Sequence, residues 1–233
     1  MPDFATTRWS LVAAAKDPAA RQALADLCGL YWYPVYAFVR RRGYSADDAG
    51  DLTQEFFARL IEKAGVAGAD PAKGRFRSYL LGACRHFLAN ERDRAAAQKR
   101  GGGRPVGSLD LADAERRYAA EPADGRTPEQ VFERRWALTL LDGVLAGLRA
   151  EYAAAGQDVL FDRLKSSLTG DAGPYVELAA ELGLTEGAVK VAAHRLRRRY
   201  RDRLRAAIAE TVATPEDIEA EIRDLFAALS RPG

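Results

Sequence analysis

Apolar residues recur at intervals of three and four along most of this 233-residue chain. Ala49, Leu52, Phe56 and Leu60 are one example, and this spacing places side chains on one face of an α-helix. We find no convincing alternation of apolar and polar residues of the kind that is typical of a half-buried strand. The pattern therefore predicts an all-α fold.

A polar stretch interrupts the helical pattern near the middle of the chain. The segment KRGGGRPVG at 99–107 contains the glycine and proline that are typical of linkers, and the residues up to Arg126 have too few apolar side chains for a core. We predict two small helical domains at 1–97 and 127–208, a flexible linker at 98–126 and an acidic C-terminal helical extension at 209–233.

Local sequence also predicts where helices begin. Ser45 with Asp48 resembles a capping box, and Thr127, Pro128 and Gln130 form a second such start with proline at the first helical position. We expect helices at about 46–63, 76–97 and 215–229, and a further helix that begins at residue 128.

The small net charge of +2 conceals two basic blocks. Residues 73–104 hold nine basic and two acidic side chains, and residues 190–205 hold eight basic and one acidic, so each block has a net charge of +7. The segment 110–129 and the chain after Arg205 are acidic. Two separate basic blocks suggest two contacts with a polyanion.

The second basic block follows a helix-turn-helix pattern. A short helix is expected to end near Leu182, with a turn at Gly183 and a second helix capped by Thr185. Its apolar stripe is predicted to be Val189, Ala192, Leu196 and Tyr200, and its opposite face suits base edges and phosphates. The alternative is an exposed basic helix in an ordinary bundle.

The first basic block mixes cations with aromatic and amide side chains. Such a mixture suits single-stranded nucleic acid, because cations follow the backbone while aromatic rings stack on bases. We expect Phe76, Leu80, Ala83 and Phe87 to be core residues because of their helical spacing. The better candidates for contact are Arg75, Arg77, Tyr79, His86, Asn90 and Arg94.

A third motif is acidic. Asp47, Asp48 and Asp51 have the spacing with which all-helical prenyl-diphosphate synthases hold magnesium, but the sequence offers no second ligand cluster. We therefore expect no metal site and no cofactor. The residues Asp48, Asp51, Glu55 and Glu62 are predicted to form an acidic ridge, which is either a docking surface or an ordinary solvated face.

Three segments, YWYPVYAFVRRRGYSADDAGDLTQEFFARLIEK, GRFRSYLLGACRHFLANERDRAAAQKRGGG and ELAAELGLTEGAVKVAAHRLRRRYRDRL, carry a family resemblance. With them the chain resembles a bacterial RNA polymerase sigma factor of the extracytoplasmic-function (ECF) group, which has sigma regions 2 and 4 only. The resemblance implies that region 2 docks on the clamp helices of the largest polymerase subunit and captures the melted minus-ten element. Region 4 would read the minus-thirty-five element.

The resemblance also assigns residues to these roles. Polymerase binding falls to Asp48, Asp51, Gln54 and Glu55. Within the loop and helix from Ala69 to Arg94, the minus-ten contacts are Arg75, Arg77, Tyr79, Arg85, His86, Asn90, Arg92 and Arg94. The minus-thirty-five contacts are Thr185, Glu186, Lys190, His194, Arg197, Arg198 and Arg201.

One position departs from the family pattern. Such factors commonly have Asp-Ala-Glu-Asp where this chain has glycine at position 50. We expect weaker polymerase docking, which phosphorylation of Thr53 could restore by adding negative charge. We also expect the acidic extension to pack on the second domain or to screen its basic helix.

The predicted protein is a cytoplasmic DNA-binding specificity subunit and not an enzyme. Its expected partners are core RNA polymerase and promoter DNA, both duplex and melted, and an anti-sigma protein or a Ser/Thr kinase is a candidate regulator. No apolar run approaches the roughly 18 residues of a membrane span. The first alternative is a stand-alone helix-turn-helix regulator, and the second is a prenyl-transfer enzyme.

Overall fold

The structure is a computed structural model that describes residues 18–62, 75–97, 111–119, 125–168, 174–212 and 214–231, with the backbone alone for 18–28, 62 and 95–97. These residues form helices and no strand, which confirms the all-α prediction. The helices are α1 Pro18–Arg41, α2 Ala46–Glu62, α3 Phe76–Ala97, α4 Leu111–Ala119, α5 Pro128–Ala154, α6 Asp158–Leu164, α7 Tyr175–Leu182, α8 Glu186–Ala209 and α9 Asp217–Ser230. A 3₁₀ turn, Lys165–Leu168, follows α6.

Two compact units divide the chain. Unit 1 comprises the residues up to Thr139 and those from Ile208 onward, and unit 2 comprises Leu140–Ala207. The chain therefore leaves unit 1 within α5 and returns to it near the end of α8. The grouping of 208–233 with unit 1 differs from the predicted separation of the extension from the first domain. The contact of Leu229 with Arg134 lies within the bounds 127–208 that were predicted for the second domain, and screening of the basic helix by the extension stays a prediction.

Unit 1 has an aromatic core built from distant parts of the chain. Tyr31 lies edge-on to Phe76, with ring centroids 5.2 Å apart, and Phe38 makes a similar contact with Phe132 at 6.5 Å. All four rings are fully buried. Aromatic pairs of this geometry add to the hydrophobic stabilisation of a core, so α1, α3 and α5 are held together through them.

Helix α4 lies inside the predicted linker. Its Ala114 is buried, and its Glu115 accepts hydrogen bonds from Arg40 Nε at 3.0 Å, Arg40 Nη2 at 2.7 Å and the Tyr36 hydroxyl at 2.5 Å. This part of the predicted linker is therefore helical and packed on α1. The remainder, 98–110 and 120–124, lies outside the described residues.

The predicted helix starts are confirmed by their hydrogen bonds. The backbone N–H of Thr127 donates to Gln130 Oε1 at 2.8 Å, and the N–H of Gln130 donates to Thr127 Oγ1 at 3.2 Å. The N–H of Asp48 donates to Ser45 Oγ at 3.1 Å. Each bond satisfies a backbone group that a helix N-terminus leaves without a partner.

Unit 2 is a small helical domain with its own core. Its buried residues come from α5, α6, α7 and α8, so that each helix contributes its apolar face. Val189 and Leu196 of the predicted stripe are fully buried. Ala192, which was also predicted for the stripe, is only partly buried, and its neighbour Ala193 is fully buried instead. The core residues are Leu148, Tyr152, Phe161, Leu164, Ala179, Val189, Ala193 and Leu196.

Candidate functional site

The acidic ridge occupies the exposed side of α2. Asp48 and Asp51 are exposed, while Gln54 and Glu55 are partly exposed. Glu55 pairs with Arg59, which also donates to Glu91 Oε1 at 2.6 Å and thereby connects α2 to α3. The exposed carboxylates are thus held on a helix that is fixed to its neighbour. The side chain of Glu62 lies outside the described residues.

Position 50 does not lie on this exposed ridge. Gly50 is buried, and a Cβ atom added to it would overlap the side chain of Leu111 at the start of α4. A carboxylate at this position would therefore meet Leu111 before it reached solvent. The glycine is explained by the close approach of α4, a reason that the local sequence did not reveal.

Thr53 is not accessible for phosphorylation in this structure. Its exposed fraction is 0%, and its hydroxyl oxygen has no hydrogen-bond partner. A kinase must reach the hydroxyl, and a phosphate would bring close to two negative charges into a buried position. The phosphorylation hypothesis for Thr53 is therefore contradicted by the burial of this residue.

The first basic block separates into three groups on α3. Tyr79, His86, Asn90 and Arg94 line one groove of about 250 Å³ together with Phe87. The steps from Tyr79 to His86, Asn90 and Arg94 are seven, four and four residues, and this spacing explains why the helix places them on the same side. His86 and Asn90 are exposed, and burial raises the pKa of Tyr79 above its ordinary value.

A second groove lies on another side of the same helix. Arg85 and Arg92 line it with Arg42 and Tyr44, and its volume is about 440 Å³. Arg85 Nη2 pairs with Glu129 Oε1 at 2.8 Å, so one of the two predicted contact residues already has an acidic partner. The structure thus places Arg85 and Arg92 apart from the groove with Tyr79 and His86.

Arg75 and Arg77 form the third group, at the start of α3. Arg77 is buried, and its guanidinium contacts Glu133 of α5 and Glu221 and Asp224 of α9. The same guanidinium lies 4.5 Å from the centroid of the Trp136 ring. The prediction that Arg77 contacts DNA is therefore wrong for this structure, because its charged group is enclosed by protein.

The charges in this third group shift the pKa of two carboxyl groups in opposite directions. Burial raises the pKa of Glu133, and the nearby carboxylates of Glu221 and Asp224 raise it further against the opposing effect of Arg77. Burial also acts to raise the pKa of Asp224, but hydrogen bonds and charges from Arg75 and Arg77 lower it below its ordinary value. The arginines thus hold Asp224 in its charged form.

A short turn at Gly183 joins α7 to α8 in unit 2, at the position that the sequence predicted. Gly183 follows α7 with φ of 64°, a left-handed conformation that glycine adopts easily. Thr185 Oγ1 accepts a hydrogen bond from the N–H of Ala188 at 3.2 Å and so caps α8. Thr185 therefore has a structural role in addition to the contact role that was predicted for it.

The exposed face of α8 carries most of the predicted contact residues. Glu186 and Lys190 form an ion pair of 2.6 Å, and Arg198 lies 3.9 Å from Asp202. Arg197 differs, because its Nε donates to the carbonyl of Ser167 at 2.9 Å and its Nη2 donates to the Tyr175 hydroxyl at 2.8 Å. The exposed predicted residues are Thr185, Glu186, Lys190, His194, Arg198 and Arg201.

Sequence reasoning missed two residues on this face. Val191 is 50% exposed and Arg195 is also exposed, next to Lys190 and His194. An exposed valine on such a helix can contact a thymine methyl group, and an arginine can bind guanine or phosphate. The four-residue spacing from Val191 to Arg195 is a helical pattern that could have identified the pair.

No group of three or more His, Cys, Asp or Glu residues in the described ranges is arranged to hold a metal ion. Within those same ranges, no helix combines the length and apolar character needed to cross a membrane.

Residues 33–97 match the family model of sigma-70 region 2, a segment that contains α2, α3 and the C-terminal part of α1. No curated protein and no solved structure matches the chain. The family match supports a sigma-70 family factor that acts in transcription initiation with RNA polymerase and promoter DNA.

Proposed function

We propose that the chain is an ECF-type sigma factor that directs core RNA polymerase to promoters. The observation that carries the proposal is the match of residues 33–97 to sigma-70 region 2. Two helices joined by a short turn follow it at residues 175–209, and this position in the chain is the one at which the ECF arrangement expects the helix-turn-helix of region 4. The roles proposed below require recognition and melting of DNA and no covalent chemistry.

Polymerase docking is assigned to the exposed ridge of α2. Asp48, Asp51, Gln54 and Glu55 would bind the clamp helices of the largest subunit. The ridge suits such a partner because its carboxylates are on the surface of a helix that is anchored through Arg59 to Glu91. Complementary charge would speed association and set the orientation of docking.

Minus-ten recognition is assigned to the first groove on α3. Tyr79, His86 and Asn90 offer ring faces and hydrogen-bonding groups to unstacked bases, and Arg94 offers a cation to the backbone. Arg85 and Arg92 in the second groove are suited to phosphates on the flanking strand. The loop before Arg75, which the resemblance also assigns to this role, lies outside the described residues.

Minus-thirty-five recognition is assigned to α8. Its N-terminal half would enter the major groove, where Glu186, Lys190 and His194 meet base edges. Arg198 and Arg201, further along the exposed face, suit phosphates. Arg197 is omitted from this set because it bonds to Ser167 and Tyr175 within unit 2.

The alternative is a stand-alone helix-turn-helix regulator, which would bind duplex DNA and ignore polymerase. The two functions are distinguished by measuring the affinity of the full chain for core polymerase. We expect Asp48→Ala/Asp51→Ala to weaken binding by about tenfold or more, which corresponds to about 1.4 kcal/mol. The control Asp158→Ala/Glu177→Ala removes the same charge from exposed positions of unit 2 and is expected to bind as the wild type does.

The outcome that would contradict the proposal is duplex binding without polymerase binding by the wild-type chain. An equal loss of polymerase affinity in both double variants would show that binding depends on overall charge, and it would refute the docking role of the ridge. An anti-sigma protein remains a candidate partner, and its identification needs a binding experiment with purified candidates.

A further inference from the structure

Helix α9 brings carboxylates to the two arginines at the start of α3. Glu221 Oε1 accepts a hydrogen bond from Arg77 Nε at 2.7 Å, and Glu221 Oε2 lies 2.9 Å from Arg75 Nε. Asp224 Oδ2 accepts from Arg77 Nη2 at 3.1 Å and also pairs with Arg75. One short acidic segment therefore neutralises two cations that are 144 or more residues away in sequence.

The helix is anchored on unit 1 by more than these charges. Its residues Ile218, Leu225 and Ala228 are buried, and its C-terminal carbonyl at Leu229 accepts a hydrogen bond from Arg134 Nη1 at 2.9 Å. The apolar contacts fix the position of α9, so its acidic side chains are held at the arginines without further ordering. Preorganised charge pairs of this kind are stronger than flexible ones on the surface.

The two arginines differ in their access to solvent. The side chain of Arg77 is 6% exposed and that of its partner Glu221 is 1% exposed, whereas Arg75 is 25% exposed and Asp224 is 49% exposed. Arg77 and Glu221 thus form the enclosed part of the cluster. Arg75 and Asp224 form its outer part, which a molecule in solution can reach.

We propose that the acidic helix α9 competes with nucleic acid for Arg75, and that Asp224 is the residue through which it does so. The inference rests on the proposed function, in which the loop before Arg75 and the grooves along α3 bind the melted promoter strand, so that Arg75 lies between them in sequence. A carboxylate and a phosphate both accept hydrogen bonds from the fork of a guanidinium, so they are direct competitors for one arginine. Binding of a strand at Nη1 of Arg75 requires that Asp224 releases this atom, while Glu221 keeps its contact with Nε of the same side chain.

The enclosed pair Arg77–Glu221 limits the opening to the outer ion pair between Arg75 and Asp224. Arg77 and Glu221 keep α9 attached while the outer pair opens, because breaking a buried ion pair is far costlier than opening an exposed one. The device is therefore a local exchange of partners at Arg75. Competition by Asp224 weakens the binding of single strands to the free factor. A promoter strand that also contacts the other residues of α3 binds strongly enough to displace Asp224 from Arg75.

The test uses the full-length chain and a fluorescent single-stranded oligonucleotide of about 16 nucleotides, with binding followed by anisotropy over a range of salt concentrations. Asp224→Asn keeps the shape of the side chain and removes its charge. We expect it to tighten binding about fivefold, the low end of typical coupling between two ligands. The slope of log affinity against log salt is expected to steepen by about 0.7, the value for one additional phosphate contact on a single strand.

The matched control is Glu216→Gln, which removes the same charge from an exposed position at the start of α9. It is expected to leave the salt slope unchanged. A second control combines Asp224→Asn with Arg75→Ala, which should abolish the gain. If Asp224→Asn and Glu216→Gln have the same effect, or if the gain persists without Arg75, the competition does not occur.

Polymerase binding by the same proteins separates this inference from the proposed function. If all variants bind core polymerase as the wild type does but Asp224→Asn does not change oligonucleotide binding, the competition is refuted and the sigma function stands. If the wild-type chain does not bind polymerase, the proposed function fails. A higher affinity of Asp224→Asn for the oligonucleotide would still show that Asp224 and nucleic acid compete for Arg75.

Discussion

Gly50 of α2 lies directly beneath Leu111 of α4, so close that a side chain at residue 50 would overlap the leucine. The contact joins the helix that carries the acidic ridge to a helix that the sequence placed in a flexible linker. It also explains why this chain has glycine at a position where the resembling family commonly has glutamate. A side chain at residue 50 would require Leu111 of α4 to shift.

Substitution of this glycine tests the contact. Alanine in place of glycine within a helix ordinarily stabilises by about 0.5–1 kcal/mol, and we expect that gain for Gly82→Ala on α3, where a Cβ atom meets nothing within 4 Å. Gly50→Ala should show little or no gain, because Leu111 must shift. Urea denaturation of both variants measures the difference, and equal gains would show that α4 does not pack on Gly50 in solution.

The buried cluster at Arg77 predicts a large loss of stability. Glu221→Ala leaves the Arg77 guanidinium buried with fewer partners, and breaking a buried ion pair typically costs about 3–5 kcal/mol. Arg94→Ala removes an exposed partner of Glu91 and should cost less than about 1 kcal/mol. Thermal and chemical unfolding compare the two, and a similarly small loss for Glu221→Ala would mean that α9 is not docked on Arg77.

The buried hydroxyl of Thr53 predicts opposite effects for two substitutions. Thr53→Val removes a polar group that has no hydrogen-bond partner, and we expect a gain of about 1 kcal/mol. Thr53→Glu places a charge at the same enclosed position and should destabilise by several kcal/mol, on the order of the cost of burying an unpaired charge. The free energies of unfolding decide the matter, and a stable Thr53→Glu protein would show that the site opens readily.

The ion pair between Glu115 and Arg40 predicts that the stability of the folded chain depends on pH. Hydrogen bonds from Arg40 and Tyr36 lower the pKa of Glu115 in the folded chain, against the opposing effect of partial burial. Its stabilising contribution is therefore present above the ordinary carboxyl pKa of about 4.3 and is lost as the pH falls through the lowered folded value. Glu115→Gln should be less stable than the wild type at neutral pH and should lose less stability in this acidic window.

The measurement is a set of urea unfolding curves between about pH 3 and pH 7, with Glu177→Gln as the control at an exposed position of unit 2. The control is expected to follow the wild type. Parallel pH profiles for the wild type and Glu115→Gln would indicate that α4 separates from α1 in solution.

Local rules were sufficient for α3, for three helix starts and for the turn between α7 and α8, but they missed α4. The bounds of α3 were predicted to the residue, and the caps at Ser45, Thr127 and Thr185 are present as hydrogen bonds. These features depend on residues a few positions apart, which a sequence displays directly. The same is true of the exposed carboxylates on α2, whose helical spacing already separates them from Phe56 and Leu60.

Features that depend on distant partners were not predictable in this way. The local sequence around Arg75 and Arg77 does not differ from that around the exposed cations of α3. Arg77 is buried because it pairs with Glu221, which is 144 residues away in sequence. The burial of Thr53 and of Gly50 likewise depends on tertiary packing. The sequence identifies a residue as basic, but tertiary packing determines whether its side chain is available to DNA or is paired with a carboxylate.

The central claim is that this chain directs transcription initiation, and run-off transcription with core RNA polymerase from the source organism tests it most directly. The template set would be promoter-containing fragments of the same genome. The account predicts transcripts of defined start that require the added chain and that are lost with Asp48→Ala/Asp51→Ala. Binding of the wild-type chain to duplex DNA without any such transcript would contradict the account and favour a stand-alone regulator.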